Sequence, residues 1–396
     1  MSNNLRLGLI GSYVPKKCGI ATFGRDLIDS IKYNIPKAEI IIAAAETGNE
    51  TYQYDKSVVA IIKTTRRQSY RRAAEKFNEA KVDLVLLQHE FGLFGGKWIK
   101  VKIDGETKDY PTGEYILETI NNLKCPMITT LHSVVPHPDP GRRKVIKQII
   151  DKSVAVVTMT QNSKTILIAD YNADKSKVFV IHHGVPVKNK ESRSEVIRKL
   201  NLNKHTFYLT MTGLLSNNKG VDLVIKAMPA ILIKHPNCHL LVIGQTHPQV
   251  IAIHGEEYRE SLTELAKKLK VEKSITFINK FLKTKDLMEY LSISSLHLTP
   301  YRDPDQSASG TLAYAIGSNI VIISTPYRYA QELLAKKRGF IVPFEDYAAI
   351  AEIVNKLIDK PVIRLLTKAN IRKFGRIMAW PAVGKSYLSV INKFIY

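Results

Sequence analysis

Residues 303–318, DPDQSASGTLAYAIGS, place hydroxyl side chains around the predicted start of a helix. Ser307, Ser309 and Thr311 can donate hydrogen bonds, and Gly310 lets a ligand approach the backbone closely. The first turn of a helix has backbone N–H groups without helical partners, so hydroxyls beside them suit an anion such as a phosphate. Ordinary N-capping by the same hydroxyls is the alternative that this stretch leaves open.

A second phosphate-binding pattern lies in MTGLLSNNKGVDLVIKA, residues 211–227. A predicted strand ends at Gly213, and Lys219 followed by Gly220 opens the next helix. An ammonium group above the N–H groups of a helix start suits a diphosphate. A lysine at a helix start is a weak signal alone, and it gains weight if the hydroxyls around Ser309 lie on the neighbouring edge.

Polar residues also follow predicted strands in the first half of the chain. His89, Glu90 and His132 come directly after two apolar runs, and Gly19 lies in a Gly/Pro-containing loop that leads into a helix. A structural role for each is the alternative. The spacing of the polar residues is not that of metal ligands, so no metal site is predicted. The loop around Gly19 is not GxGxxG, which argues against a nicotinamide or flavin cofactor.

Short apolar runs alternate with longer helix-like segments along the whole chain. The runs are 5–11, 38–45, 82–88, 126–131, 154–159 and 177–182 in the first half, and 206–213, 238–244, 274–278, 295–301, 320–325 and 339–344 in the second. Continuous apolar strands between helices indicate a parallel sheet covered on both faces. Two such series predict an α/β protein of two Rossmann-like domains. Ligands bind beyond the carboxyl ends of parallel strands, where the polar residues above fall.

The composition of the connecting segments suggests the domain boundaries. We predict a first domain over 1–187, a polar linker over 188–204, a second domain over 205–376 and a C-terminal helix over 377–396. The Asp-Gly pair in KVKIDGETKDYPTG (100–113) predicts an inserted hairpin.

The composition indicates a globular protein of the cytosol. Apolar residues make up 45% of the 396 residues, and no apolar run approaches the roughly 20 residues of a membrane-spanning helix. The three cysteines, Cys18, Cys125 and Cys238, are far apart, which argues against a disulfide framework. The N-terminus enters a strand-like run directly, without a signal-peptide pattern.

The net charge of +22 is concentrated in two places. Residues 63–81 contain seven basic residues against Glu75 and Glu79, and no acidic residue follows Asp359. In both stretches the basic residues are interleaved with apolar ones, as on helices that lie on anionic membranes. We therefore expect peripheral association with such a membrane. Simple solvation of a lysine-rich surface is the alternative.

With these motifs in order, the chain resembles the family 4 retaining glycosyltransferases of GT-B fold over essentially its full length, and within them a bacterial mannosyltransferase-like subgroup. TGLLSNNKGVDLVIKA resembles the stretch of the family that binds the donor phosphates, and VIHHGVP (180–186) resembles the end of its first domain. GSNIVIISTPYRYAQELLAKKRGFIVPFED (317–346) resembles the stretch that closes the donor pocket, and MAWPAVGKSYLSVI (378–391) resembles its C-terminal helix. PKKCGIATFGRDL and QHEFGLFGG resemble the subgroup.

The resemblance implies two Rossmann-like domains whose parallel sheets face each other across a cleft, with the C-terminal helix crossing back to the first domain. It implies metal-independent transfer of a sugar, with mannose as the first candidate, from a nucleoside diphosphate-sugar to a glycan or lipid-linked acceptor, with retention of configuration. The nucleotide sugar is a co-substrate, and no cofactor is implied.

The resemblance also assigns roles to individual residues. His132, Lys219 and Gln306 take the catalytic positions, with Lys219 stabilising the departing diphosphate. The residues assigned to donor binding are Gly19, Gly213, Lys219, Ser307, Ser309, Gly310, Thr311 and Tyr314. The residues assigned to the acceptor or to support of the site are His89, Glu90, His247, Glu256 and Arg259.

The sequence departs from the family at three positions of the donor site. Gln306 and Tyr314 stand where the family has two glutamates, and Leu214 stands where it has a phosphate-binding arginine. Each lost charged hydrogen bond costs roughly 1.5–3 kcal/mol if nothing replaces it. Asp303 or Asp305 can restore a negative charge if the loop runs one or two residues differently. We interpret the site as a variant that works.

Three other interpretations remain open at this point. The first is a catalytically inactive GT-B protein that binds or regulates a partner. The second is a sugar-nucleotide epimerase of the same fold. The third, a nucleic-acid-binding protein, is disfavoured because the chain has no helix-turn-helix, zinc-finger or aromatic-basic RNA pattern.

Overall fold

The computed structural model describes residues 5–48, 51–103, 106–186 and 191–395. The chain folds into two compact units. The first unit contains the described residues up to Gly184, together with Asp305–Ala308 and those from Trp380 on. The second contains Val185–Pro304 and Ser309–Ala379.

The first unit is built on a parallel sheet of seven strands in the order β3-β2-β1-β4-β7-β8-β9. Its elements are β1 (Arg6–Gly11), α1 (Gly19–Asn34), β2 (Glu39–Glu46), β3 (Val58–Lys63), α2 (Arg67–Glu79), β4 (Leu84–His89), β5 (Trp98–Ile103), β6 (Glu106–Pro111), α3 (Ile116–Asn122), β7 (Met127–Leu131), α4 (Pro140–Lys152), β8 (Ala155–Thr158), α5 (Gln161–Tyr171) and β9 (Val178–Val180). The antiparallel pair β5–β6 is the inserted hairpin expected from the Asp-Gly signal, whose two residues lie outside the described part.

The second unit is built on a parallel sheet of six strands in the order β12-β11-β10-β13-β14-β15. Its elements are α6 (Arg193–Lys199), β10 (Phe207–Thr212), α7 (Val221–Lys234), β11 (Cys238–Ile243), α8 (Pro248–His254), α9 (Glu257–Lys268), β12 (Ile275–Ile278), α10 (Thr284–Ile293), β13 (Leu296–Thr299), α11 (Gly310–Gly317), β14 (Val321–Ser324), α12 (Arg328–Leu334), β15 (Phe340–Ile341), α13 (Tyr347–Asp359) and α14 (Pro361–Met378). The last helix, α15 (Trp380–Ile395), belongs to the first unit.

Every strand predicted from an apolar run forms, and the prediction of an α/β protein with two parallel sheets is confirmed. The central strands are largely apolar because helices cover both faces; β4, for example, is buried at every position, including Gln88 and His89 at its carboxyl end. The strand missed by the prediction is β3. Its residues 58–62, VVAII, are all apolar as in a central strand, although it lies at the edge of its sheet and its Val59 and Ile61 are exposed.

The segment predicted as a linker folds in part. Residues 187–190 lie outside the described residues, but α6 follows directly, and its Val196 and Ile197 are buried against Tyr208 and Ile243 of the second unit. A capping box at Ser192 and Glu195 starts this helix. The polar composition of the segment hid a short amphipathic helix that packs on the second sheet.

The C-terminal helix packs on α1 within the first unit. Trp380 meets Phe23 at 5.2 Å between ring centres, and the side-chain amide of Asn34 donates to the carbonyl oxygen of Pro381 at 3.1 Å. Within the described residues, no helix is long and apolar enough to cross a membrane.

Candidate functional site

The loop after β10 positions the lysine singled out from the sequence. It begins at Gly213, contains a 3-10 turn over Asn217–Lys219 and ends at Gly220, whose φ of 62° starts α7. A Cβ on Gly220 would lie 2.2 Å from the carbonyl oxygen of Pro300, so only glycine permits both the backbone angle and the close approach. The loops that follow β10 and β13 are therefore packed directly against each other.

Lys219 lies on an aromatic ring from the neighbouring strand end. Its Nζ is 3.9 Å from the centre of the Tyr301 ring, within the range of a cation–π interaction. Tyr301 is buried and stacks on Tyr327 with 5.0 Å between ring centres and an interplanar angle of 14°. The ring thus fixes the ammonium group at the carboxyl edge of the second sheet.

The hydroxyl of Tyr301 links this lysine to the start of α11. It lies 2.5 Å from Oγ1 of Thr311, which in turn lies 3.1 Å from Oγ of Ser309. Burial raises the pKa of Tyr301, but the Lys219 charge and the hydrogen bond with Thr311 outweigh it, so the pKa falls below its usual value of 10. We call Lys219, Tyr301, Ser309 and Thr311 the lysine–hydroxyl cluster. It combines a cation, hydroxyls and a helix N-terminus, which together suit a phosphate.

An arginine that the sequence analysis did not single out holds the two loops together. Arg302 makes two parallel hydrogen bonds of 2.9 Å to the carboxylate of Asp222 on α7, and its Nε donates to Glu345 at 2.6 Å. Its Nη1 also donates to the carbonyl oxygen of Asn217 at 2.7 Å. Burial raises the pKa of Asp222, yet the hydrogen bonds with Arg302 and Lys226 lower it overall. The turn that carries Lys219 is thereby tied to the strand end that carries Tyr301.

The predicted supporting residues hold the third loop of this edge, after β11. Arg259 donates from Nη2 to the carbonyl oxygen of Gly244 at 2.8 Å, and the Thr246 hydroxyl donates to Glu256. The backbone N–H of His247 donates to Leu215 at 2.8 Å. Burial and the nearby Lys219 charge lower the pKa of His247. Arg259 and Glu256 support the backbone and the Thr246 side chain of this loop. His247 lies close enough to Lys219 for the charge of the lysine to lower its pKa.

The stretch at 303–318 is divided between the two units. Gly310 is the first residue of α11, and Ser309 caps the helix by accepting from the N–H of Leu312 at 3.3 Å, so the N-capping alternative holds for this hydroxyl. Ser307 belongs to the first unit, where its hydroxyl accepts from the N–H of Val134 at 2.9 Å. The Gln306 side-chain amide donates to Ala308, and Tyr314 is buried within α11. By their contacts, Gln306 and Ser307 thus group with the first unit, whereas Ser309 and Thr311 group with the second.

The polar residues of the first unit meet at the carboxyl edge of its sheet. Nε2 of His132 lies 2.9 Å from Oε1 of Gln88, and the ring of Phe23 contacts both His132 and His183, with 4.7 and 5.1 Å between ring centres. Burial lowers the pKa of His132 to about 3, helped by His183 and His89. His132 is therefore neutral at pH 7 and works as a hydrogen-bonding group.

The neighbouring loop after β4 carries the other two predicted residues. His89 packs between Phe91 and Phe94, and burial lowers its pKa to about 4. The Ser133 hydroxyl donates to Glu90, whose pKa is raised because burial outweighs that hydrogen bond. His89 and His132 are thus side by side in the first unit, with their protonation set by burial.

Gly19 opens α1 at the same edge. A Cβ at Gly19 would meet no atom within 4 Å, and the side chain of Cys18 caps the helix by accepting from the N–H of Ala21 at 3.3 Å. The backbone there faces open space. Within the described residues, no group of three or more histidine, cysteine or carboxylate side chains is placed to hold a metal ion.

The buried histidines predict how stability depends on pH. In the unfolded chain His132 takes up a proton near pH 6.5, whereas in the folded protein its pKa is about 3. Between these values the unfolded state binds more protons. The free energy of unfolding should therefore fall with decreasing pH, by up to about 1.4 kcal/mol per pH unit for this residue.

Urea unfolding at pH 7, 6, 5 and 4 measures this dependence. His132→Gln should flatten the slope, whereas His137→Gln, at an exposed position, should leave it unchanged. Glu90 acts in the opposite direction because its folded pKa is raised, so the comparison between variants isolates the histidine. An identical slope in wild type and His132→Gln would contradict the burial of a neutral imidazole.

Residues 192–376 match the model of the family described as glycosyl transferases group 1. A GDP-mannose-dependent monoacylated alpha-(1-6)-phosphatidylinositol monomannoside mannosyltransferase of Corynebacterium glutamicum is 23% identical, and the match covers 98% of this chain and 97% of that protein. A D-inositol 3-phosphate glycosyltransferase of the same species is 22% identical, over 68% of this chain and 67% of that protein.

Solved structures show a similar fold. A glycosyltransferase from Rickettsia africae superimposes with a TM-score of 0.73 at 16% identity, covering 99% of both chains. HepE from Anabaena, solved in complex with UDP, gives a TM-score of 0.73 at 13% identity, covering 98% of this chain and 100% of that chain. These likenesses extend over both units.

Proposed function

We propose that this chain, whose residues 192–376 match the model of glycosyl transferases group 1, transfers mannose from GDP-mannose to a lipid-linked or glycan acceptor with retention of configuration. Use of a nucleotide sugar agrees with the family and with the UDP bound to a protein of the same fold. Mannose is proposed because the relative from Corynebacterium glutamicum is a GDP-mannose-dependent mannosyltransferase.

The observation that carries the proposal is the lysine–hydroxyl cluster. Negative charge accumulates on the diphosphate as the bond to the sugar breaks, and a preorganised cation lowers the energy of that state. Lys219 is held by the Tyr301 ring, and the N-terminus of α11 and Thr311 add dipoles of the same sign. In the proposal these groups, and no metal ion, stabilise the leaving diphosphate.

The first unit supplies the proposed acceptor side. His132, neutral because of its burial, would hydrogen-bond the transferred sugar, and the open backbone at Gly19 would face the donor phosphates or the acceptor. A cavity of about 410 Å³ in this unit is lined by Arg143, Lys144 and Lys147 among others. Its positive charge suits an acceptor that carries a phosphate.

The three positions at which the sequence departs from the family, Leu214, Gln306 and Tyr314, are part of the proposal. Gln306 would hydrogen-bond sugar hydroxyls without a charge, and Tyr314 would meet the ribose with one phenol group. With Leu214 in the place of an arginine, most of the charge on the donor side depends on Lys219. We therefore expect removal of Lys219 to reduce activity more in this protein than in a donor site that has two cations.

A donor screen tests the proposal. Thermal unfolding is measured with UDP, GDP, ADP, TDP and their common sugar conjugates, and release of nucleoside diphosphate is then followed with each stabilising donor. Stabilisation by GDP and GDP-mannose above the other bases is the expected result. Stabilisation by UDP alone would overturn the choice of sugar donor, and no shift with any nucleotide would contradict the proposed donor site.

Tyr301 is expected to act as a positioning residue for Lys219. Tyr301→Phe keeps the ring and should reduce kcat only modestly, whereas Tyr301→Leu removes the surface on which the ammonium group rests. A cation–π interaction of about 1–2 kcal/mol converts to a loss of roughly tenfold in kcat for the leucine variant. A merely structural role would instead lower the melting temperature of both variants while leaving kcat per folded molecule unchanged.

We also propose that the protein works as a peripheral membrane protein on an anionic surface. The basic excess of the chain supports this, as does the phosphatidylinositol-linked substrate named for one relative. Sedimentation with anionic vesicles at low salt tests the association.

A further inference from the structure

A basic groove lies at the edge of the second sheet opposite to the lysine–hydroxyl cluster. Its volume is about 310 Å³, and Phe207 at the start of β10 and Ser295 just before β13 line it. Both residues mark the amino ends of parallel strands, whereas Lys219 and α11 follow the carboxyl ends. The groove is therefore separate from the proposed donor site.

The lining of the groove is suited to a phosphate group. Its basic residues are Arg193, Lys204, His205, Arg364 and Lys368. Ser292 and Ser294 also line it, but their hydroxyls already donate within the protein, and none of the residues that line the groove is acidic. Several cations in a groove whose lining has no acidic residue attract an anion, and arginine in particular suits phosphate oxygens.

Two of these cations are held in place. Arg364 on α14 lies over the Phe207 ring at 5.2 Å and donates to the carbonyl oxygen of Ile358 at 3.2 Å. Arg193 on α6 donates from Nη2 to the carbonyl oxygen of Ile293 at 3.2 Å. Anchoring of this kind lowers the entropy lost when an anion binds.

The helix that carries Arg364 and Lys368 also exposes apolar side chains. Leu365 is 68% exposed, and Leu366 and Val362 are each 64% exposed. Their spacing places all three on one side of α14, and Lys368, three residues after Leu365, borders that side. No acidic residue occurs on α14 or after it. An apolar surface bordered by cations is what a helix presents to an anionic bilayer.

The other basic segment lacks this combination. On α2 the apolar residues Tyr70, Ala73 and Phe77 are buried, so the outer face carries charges without large apolar groups. Some of those charges are paired locally, as Arg71 is with Glu75 at 3.3 Å. Of the two basic stretches noted in the sequence, the one on α14 has the exposed apolar side chains.

We propose that this groove binds the phosphate of an anionic lipid headgroup while Val362, Leu365 and Leu366 enter the bilayer interface. The site would hold the second unit on the membrane that carries the acceptor, and to that extent it depends on the proposed transfer to a lipid-linked acceptor. The groove itself recognises a phosphate monoester or diester, and the apolar side chains of α14 point to a lipid as its source.

Co-sedimentation of the full chain with vesicles tests the proposal. Vesicles of phosphatidylcholine with phosphatidylglycerol are compared with vesicles of phosphatidylcholine alone, at low salt and at 0.5 M salt. High salt screens the charges of the protein and the lipid, so it should weaken an electrostatic association. We expect binding only to the anionic vesicles. Leu365→Ser combined with Leu366→Ser, and separately Lys204→Glu combined with Lys368→Glu, should each weaken binding at least about tenfold.

Matched controls make the result specific. Ile253→Ser removes a side chain that is 70% exposed on α8, and Arg72→Glu reverses an exposed charge on α2. Neither should change vesicle binding. Loss of binding in Arg72→Glu with full binding in the α14 and groove variants would overturn the proposal in favour of α2.

The remaining outcomes separate the alternatives. If inorganic phosphate stabilises the protein through Lys204 and Lys368 while no vesicle binds, the groove is a free-anion site and the lipid proposal fails. If the serine variants convert a dimer into a monomer, the face of α14 is an interface between copies, and the proposal fails as well. Donor turnover is measured in every variant. Docking without turnover of any donor in the wild-type protein contradicts the proposed function alone, and lost docking with intact turnover in a variant supports two separate sites.

Discussion

Lys219→Ala is expected to reduce kcat by about 10²–10³-fold, which is the usual effect of removing one preorganised group that stabilises transition-state charge. The reason is that the ammonium group on the Tyr301 ring is the cation of the lysine–hydroxyl cluster. The N-terminus of α11 remains in the variant, so a residual rate is expected. The same variant should also lose most of the thermal stabilisation by the nucleotide.

The measurement compares kcat and nucleotide-induced stabilisation in Lys219→Ala with those in Lys234→Ala. Lys234 lies in the last turn of α7, the helix that Lys219 precedes, and it is exposed. The control should behave as wild type in both assays. Wild-type turnover by Lys219→Ala would show that the diphosphate leaves from another place, and the role proposed for the cluster would be abandoned.

Gly244→Ala is expected to lower the free energy of unfolding of the second unit by at least about 3 kcal/mol, a large value for one substitution. Gly244 follows β11 with a φ of +145°, and a Cβ there would lie 1.8 Å from the carbonyl oxygen of Gly213. A contact this short forces the two loops apart. Because Gly213 begins the loop that carries Lys219, donor binding should weaken together with stability.

Gly255→Ala separates the backbone effect from the steric one. Gly255 has a φ of +59°, but a Cβ there would meet no atom within 4 Å. Its substitution should cost only about 1–2 kcal/mol, the strain of the left-handed conformation. Urea unfolding of both variants, followed through the second unit, tests the difference. Equal losses in the two variants would mean that the approach of Gly213 and Gly244 is less close than described.

The stability and activity predictions are linked through the same three loops. Arg302 ties the loop after β13 to the loop after β10, and Arg259 supports the loop after β11. Removal of any of these contacts should therefore shift the turn that carries Lys219 and so change the position of its ammonium group. This explains why a change as distant in the sequence as Gly244 should affect the donor site.

Much of the fold could be predicted from the sequence. Runs such as VDLVLLQ are largely apolar, without the alternation of a half-exposed strand, because both faces of a parallel sheet are covered, and this property predicted the strands of both sheets except β3. β3 has such a run as well, VVAII, and nothing in the sequence explains why it was missed; its edge position, with Val59 and Ile61 exposed, is visible only in the structure. The helical period of residues 192–200 was hidden by a polar composition, so α6 was missed.

Part of the candidate site was also readable, because ligand-binding residues of an open parallel sheet follow its strands. Lys219, Ser309 and Thr311 were predicted on that ground, and the structure brings them together. Tyr301 was not singled out. As the last residue of the apolar run SLHLTPY it resembles a core residue, and nothing local shows that its ring supports a lysine 82 positions earlier.

The sequence by itself determined the order of strands and helices, the two parallel sheets and the strand ends at which polar residues collect, because periodicity and chain order are local properties. Only the tertiary structure decided which partner each side chain meets. It placed Ser307 beside Val134 and Arg302 beside Asp222, and it turned the apolar side of α2 inward while leaving that of α14 exposed. The physical reason is that such contacts join residues far apart in the chain, and their geometry depends on how helices and loops pack on the sheets.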